Sequence, residues 1–144
     1  MVIIDANLLI YAINIDSPFY VKSKLWLETT LSGAQGKVMM PWLTIVAFVR
    51  VATHPRILAN PLRLSEALNL INEWLSLPSV EILHPTAHHA RYFAAMCESS
   101  NAKTNLVTDA HLAALAIENN FLLASCDSDF AKFPGLRWIN PVAE

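Results

Sequence analysis

The sequence contains few charged residues, glycines and cysteines, and each shortage limits the classes of protein to which the chain can belong. Only 15% of its 144 residues are charged while 54% are hydrophobic, which excludes disorder over the whole length. Glycine occurs three times, so the breaks between segments are marked mainly by the eight prolines. We find no internal repeat, low-complexity segment or linker, and we expect residues 1–144 to form a single domain.

Long hydrophobic runs are also missing. A membrane-spanning helix needs about 20 apolar residues, and the longest apolar stretches are interrupted by Arg50, Asp109 or Glu118. The first residues lack the basic region and cleavage site of a signal peptide. We therefore interpret Cys97 and Cys126 as free thiols of a cytoplasmic protein. The net charge of −2 argues against broad affinity for nucleic acid, but an enzyme that cuts nucleic acid needs acidic residues.

Short apolar runs alternate with longer segments of helical periodicity. The predicted strands are Val2–Ile4, Lys37–Met40, Val80–Leu83, Phe121–Ala124 and Arg137–Ile139, the last at an edge. The predicted helices are Asn7–Ile13, Pro18–Leu31, Trp42–Thr53, Ser65–Leu75 with Ser65 as N-cap, Thr86–Ser99 and Leu106–Glu118. This alternation predicts an α/β fold with a mainly parallel central sheet. Ligands of such sheets bind beyond the carboxyl ends of the strands.

Carboxylates stand at these positions. Asp5 follows the first strand directly, Asp127 and Asp129 follow the fourth, and Asp109 lies in the opening turns of the last helix. Each has a simpler interpretation alone: Asp5 as a helix N-cap, Asp109 as a charge favoured by the helix dipole, and the other two as turn formers. Gathered at one edge of a sheet, however, they would repel one another unless a cation lay among them.

Oxygen ligands alone favour a hard cation, so the expected metal is Mg2+ or Mn2+. Such an ion, held by Asp5, Asp109 and Asp127, can activate a water molecule and stabilise charge on a phosphate. Hydrolysis of a phosphodiester is the natural use of this chemistry, and we expect it to leave a 5′-phosphate.

Five segments together resemble a known family. They are Val2–Leu9, Leu43–Arg56, Asp109–Ala116, Ser125–Phe130 and Phe133–Trp138, and they run the whole length of the chain. In order and spacing they resemble the PIN-domain nucleases, and among these the VapC-type toxins of bacterial toxin–antitoxin pairs. The resemblance implies a three-layer α/β/α fold, Mg2+-dependent endoribonuclease activity on RNA, a homodimer, and inhibition by a small cognate antitoxin.

The resemblance also implies roles for single residues. Asp5, Asp109 and Asp127 match the family's metal-binding and catalytic acids, and Asp129 is expected to add a ligand or a contact beside them. Asn7 and Ser125 match its supporting polar positions.

One position departs from the family. Ala47 stands where a glutamate is usual, which leaves the number of bound metals open. A PIN-like module that binds RNA or protein without cleaving is therefore one alternative. The other is a phosphatase of the haloacid-dehalogenase type, which would need an aspartate where Asn7 stands.

Basic residues near the acidic set are the predicted substrate contacts. Arg50 lies near the end of the helix after the second strand and His111 neighbours Asp109, so both are expected to contact RNA. His88 and His89 have no further metal ligands at suitable spacing, and we predict a surface role for both.

Overall fold

The fold is a parallel sheet covered by helices on both faces. The computed structural model describes residues 1–143. The strands are β1 (Val2–Ile4), β2 (Val38–Pro41), β3 (Val80–Leu83), β4 (Leu122–Ala124) and β5 (Trp138–Ile139). The helices are α1 (Ala6–Ile13), α2 (Tyr20–Leu31), α3 (Trp42–Ala52), α4 (Leu64–Ser76), α5 (His89–Ser100) and α6 (Asn105–Asn119), and a 3-10 helix spans Ser128–Lys132.

The strand order is β3-β2-β1-β4-β5, and every neighbouring pair is parallel. The two faces of the sheet carry separate apolar cores because successive side chains of a strand point to opposite faces. Ile4 packs into a core with α1, α3 and α4, whereas Ile3 packs into a second core with α6. Both side chains are fully buried. The predicted three-layer α/β/α arrangement is thus confirmed.

The order of the strands places the site. Along the chain, β1, β2 and β3 extend the sheet in one direction, and β4 and β5 extend it in the other. The direction reverses between β1 and β4, and in such sheets the crevice beyond the carboxyl ends at this reversal is where ligands bind. Asp5 follows β1 and Ser125 follows β4, so both stand at that crevice.

The predicted elements all exist, and their ends differ by a few residues. The helix α4 begins at Leu64, so Ser65 lies inside it and its predicted role as N-cap is wrong. The Arg63 backbone N–H before this helix donates instead to Glu66 Oε1 at 3.0 Å. The helix α5 begins at His89 rather than Thr86, because the residues before it form a turn in which Thr86 Oγ1 accepts from the His88 N–H.

The sequence led to predictions about the state of the two cysteines and the apolar character of the helices. Cys97 and Cys126 are both free thiols, as predicted. Within residues 1–143, no helix has both the length and the apolar character that crossing a bilayer requires.

Candidate metal centre

Three aspartates meet at the crevice. Carboxylate oxygens of Asp109, Asp127 and Asp129 all lie within 4.8 Å of one another. Asp109 comes from α6, Asp127 from the loop after β4, and Asp129 from the 3-10 helix that follows. The fold therefore brings together two segments of the sequence that the strand β4 separates.

Ser125 connects the acids on both sides of the crevice. Its side chain is fully buried, and Oγ donates to Asp5 Oδ2 at 2.7 Å. The same oxygen accepts from Asn7 Nδ2 at 3.1 Å and from the Asp127 backbone N–H at 3.0 Å. Asp127 Oδ1 in turn accepts from the Asp129 N–H at 2.9 Å, which begins the 3-10 helix. This one hydroxyl thus fixes the loop after β4 against the end of β1.

Asp5 is held by its own set of donors. Oδ1 accepts from the Ala6 N–H at 2.8 Å, and Oδ2 accepts from Asn7 Nδ2 at 3.2 Å as well as from Ser125. Its carboxylate is not part of the group of three that lies within 4.8 Å. The N-cap interpretation of Asp5 is correct, and its role as a metal ligand stays a prediction.

Burial and mutual repulsion make the acidic group unfavourable by itself. Burial, and then the charges of Asp127, Asp5 and Asp129, raise the pKa of Asp109 to about 7. Burial is also the largest cause of a raised pKa at Asp5, opposed by its hydrogen bonds from Ser125 and Ala6. A cation placed among these groups would reduce the repulsion and favour the ionised form of both carboxylates.

The group fits a hard divalent ion. Ligands at about 2.1 Å from an octahedral Mg2+ are about 3.0 Å apart when adjacent and about 4.2 Å apart when opposite. The three aspartate oxygens all lie within 4.8 Å of one another, so small side-chain movements would bring them to such spacings. The donors are all oxygens, as Mg2+ and Mn2+ prefer. Asp109, Asp127 and Asp129 are the residues that could hold such an ion.

A cleft of about 280 Å³ opens beside the acids, between α3 and the start of α6. Asp5, Asp109, Thr44, Ala47 and Arg50 are among its lining residues. Ala47 therefore occupies a wall of the site, at the position where the resemblance led us to expect a glutamate. The buried Thr44 Oγ1 donates to the Ile4 carbonyl at 2.9 Å and fixes α3 to the end of β1, a role that the sequence did not reveal.

His111 forms a hydrogen bond with His89 on α5 and with none of the aspartates of the acidic group. Its Nδ1 lies 2.8 Å from His89 Nε2, and His89 Nδ1 lies 2.7 Å from Glu118 Oε1. The Glu118 side chain is fully buried and accepts a second hydrogen bond, from Thr86 Oγ1 at 2.6 Å. The predicted surface role of His89 is wrong, because this network ties it to α6, whereas His88 is exposed. The predicted contact of His111 with RNA stays a prediction.

Comparison with known proteins decides the family. The PIN-domain model matches residues 2–136, which is nearly the whole chain. The chain belongs to the PIN-domain family. The parallel sheet and the two helical layers are thus those of a PIN domain.

Its relatives are consistent with this. The PIN domain is 43% identical over 143 residues to the ribonuclease VapC37 of Mycobacterium tuberculosis, covering 99% of each chain. It is 33% identical to the ribonuclease VapC33 of the same organism over the full length of both.

Solved structures share the fold at lower identity. VapBC2 of Rickettsia felis, bound to a DNA fragment from its promoter, matches with a TM-score of 0.69 at 18% identity, over 97% of this chain and 98% of the other. VapBC-1 of nontypeable Haemophilus influenzae matches with a TM-score of 0.69 at 15% identity, over 99% and 100%.

Proposed function

We propose that this PIN domain is the toxin of a toxin–antitoxin pair and acts as a metal-dependent endoribonuclease. The observation that carries the proposal is the group of Asp109, Asp127 and Asp129 at the sheet's reversal point, in a chain whose relatives over the full length are named ribonucleases. We propose Mg2+ as the cofactor, with Mn2+ as a substitute, and the cytoplasm as the location, in keeping with the two free thiols.

A divalent ion bound at this group would supply a Lewis acid that makes water a better nucleophile and stabilises charge on the phosphate. The residues of the chain prepare that chemistry. Ser125 and Asn7 hold the Asp5 carboxylate in place, and the backbone N–H of Asp129 fixes Asp127. Geometry is thus set before the substrate arrives, which lowers the reorganisation needed in the reaction.

Arg50 is the proposed contact for the RNA backbone. It is exposed and lines the cleft together with Asp5 and Asp109, so it is available to a phosphate that enters the cleft. Arginine suits this role because its planar donors match the oxygens of a phosphate. We expect its removal to weaken RNA binding more than it slows the reaction of bound RNA.

The phosphatase alternative lacks support in the geometry. It needs a second carboxylate two residues after Asp5, but Asn7 there is an amide whose Nδ2 donates to both Asp5 and Ser125. The alternative of a module that binds without cleaving rests on Ala47, and a cleavage assay separates it from the proposed function.

The partners we propose are a small antitoxin and a second copy of the chain. A mainly apolar cavity of about 360 Å³ adjoins the acidic cleft and shares Ala47 and Arg50 with it, so a protein bound there would obstruct RNA. Large apolar side chains are exposed on α2, including Val21 at 66% and Leu25 at 60%, and burial between two copies would cover such residues. Sedimentation of the purified chain tests the dimer.

The experiment for the proposed function is RNA cleavage by protein freed of any partner. With Mg2+ or Mn2+, the wild type is expected to produce fragments with 5′-phosphates. Asp127→Asn is expected to lose roughly 100-fold or more in rate, since several kcal/mol of transition-state stabilisation depend on the ion.

The matched control is Glu98→Gln, which removes one carboxylate from an exposed position on α5 and should cleave at the wild-type rate. Binding of RNA without turnover in either metal would favour the binding module instead. Cleavage by Asp127→Asn at the wild-type rate would refute the proposed site.

A further inference from the structure

One cation of the chain itself lies beside the acidic group. Lys132 Nζ is 2.9 Å from Asp129 Oδ1, and the two side chains are about half exposed. Among residues 1–143, Lys132 is the one lysine or arginine within ion-pair distance of Asp5, Asp109, Asp127 or Asp129. The two residues are three apart in a 3-10 helix, where side chains at that spacing stand one above the other.

The stability of the fold does not explain this placement. An exposed ion pair contributes little to folding, because water and salt screen it and two flexible side chains must be ordered. The position relative to the acids does matter. Lys132 opposes the rise in the Asp109 pKa, as the smallest of the contributions to it, so its charge acts on Asp109 as well as on Asp129.

The net charge of the proposed metal site explains why a lysine beside it would help substrate binding. The four aspartates carry up to four negative charges, of which one divalent ion neutralises half. An RNA phosphate then meets a site that is still negative, and Ala47 supplies no further ligand for a second metal. A positive group at the edge of the site would offset this repulsion at the point where the phosphate must bind.

We infer that Lys132 is a substrate-binding residue, held by Asp129 at the edge of the metal site so that its ammonium contacts an oxygen of the RNA phosphate. The inference rests on the proposed function, since it concerns the same site. Asp129 then has a second task besides any contact with metal, which is to orient Lys132.

Two binding measurements test the role without relying on turnover. The first is the affinity for a short fluorescein-labelled single-stranded RNA of mixed sequence, measured by anisotropy in Ca2+, whose looser coordination is suited to binding without cleavage. The second is the calorimetric affinity for Mn2+ alone. Lys132→Met is expected to weaken RNA binding roughly fivefold and to lower the slope of log Kd against log salt by about one.

The affinity for Mn2+ should stay the same or increase in Lys132→Met, because a competing positive charge is removed. A purely structural role would instead weaken both affinities together. Lys132→Arg keeps the charge, so its affinity for RNA should be within about twofold of the wild type. Lys37→Met is the matched control, since Lys37 pairs with Glu81 on the surface near the amino ends of β2 and β3, whereas the acids follow the carboxyl ends of the strands. It should not change either affinity.

RNA affinity of Lys132→Met within twofold of wild type would overturn the inference, and so would equal weakening by Lys37→Met or loss of Mn2+ binding. Cleavage of the same RNA by the wild type in Mn2+ tests the proposed function separately. A wild type that cleaves while Lys132→Met binds normally refutes the inference alone. A wild type that neither binds nor cleaves RNA refutes both.

Discussion

Removing one charge from the metal site should stabilise the metal-free protein. In the absence of a cation, burial and the charges of three other aspartates make the ionised form of Asp109 unfavourable and raise its pKa to about 7. Asp109→Asn keeps the shape of the side chain and removes the charge. We therefore expect the variant to be more stable than the wild type in EDTA, although it loses the proposed site.

The magnitude follows from the pKa. The pKa of Asp109 is about 7 in the folded protein, compared with an ordinary value of 3.8. At about 1.4 kcal/mol per pKa unit, this difference corresponds to about 4 kcal/mol. Because Asp109 is only half-buried, solvent screening reduces this to about 1–2 kcal/mol. For a chain of this size that is an increase in Tm of about 3–6 °C.

The pH dependence has a definite direction. A raised pKa means that the folded protein binds the proton more tightly than the unfolded chain, so the stability of the wild type falls as pH rises from 3.8 towards 7. The variant lacks this loss. Its advantage should be largest above pH 7 and should shrink as pH is lowered below 7.

Thermal unfolding at about pH 8, with EDTA or with Mn2+, measures both effects. Mn2+ at about 100 times its Kd should stabilise the wild type by about 2.7 kcal/mol and the variant far less, so the order of the two Tm values reverses. Glu98→Gln, at an exposed position, should follow the wild type in both conditions. A variant that is less stable than wild type in EDTA, or gains equally from Mn2+, would refute the reasoning.

Two further predictions concern buried hydrogen bonds. Ser125→Ala should lower the free energy of unfolding by about 2–4 kcal/mol in urea titration, because Asp5 loses a donor and the Asp127 N–H loses its acceptor. The exposed neighbour Ser128→Ala should change it by less than about 0.5 kcal/mol, and equal effects would contradict the role of Ser125. Glu118→Ala should cost about 2–4 kcal/mol because His89 and Thr86 lose their hydrogen-bond partner, and a loss below about 1 kcal/mol would show that the network is not required.

The elements of the fold were largely predictable, because apolar periodicity reports directly which face of each segment is buried. The ends of the helices were less so. Ser65 suits an N-cap by residue type, yet the helix begins earlier because the Glu66 carboxylate accepts from the Arg63 N–H. The 3-10 helix after Asp127 is too short to produce a periodic pattern, so only the structure revealed it.

The site was predictable in its members but not in its geometry. Acids after β1 and β4 were visible in the sequence, since the fold class alone places them at one edge of the sheet. The conformation of the loop after β4 decides which acids lie close together. It groups Asp129 with Asp109 and Asp127, whereas Asp5 lies outside this group and accepts a hydrogen bond from Ser125. Lys132 lay three residues from Asp129 in the sequence, but the same spacing is common on any exposed helix.

The sequence by itself therefore determined the α/β class, the acidic residues and, through short ordered motifs, the family. These properties are local, because each depends on the residue types within one segment. The tertiary structure alone decided that Ser125 joins two strands, that Ala47 lines the cleft, and that His89 is tied to Glu118. Such contacts join residues far apart in the chain, and their geometry is set by the packing of the whole core around the sheet.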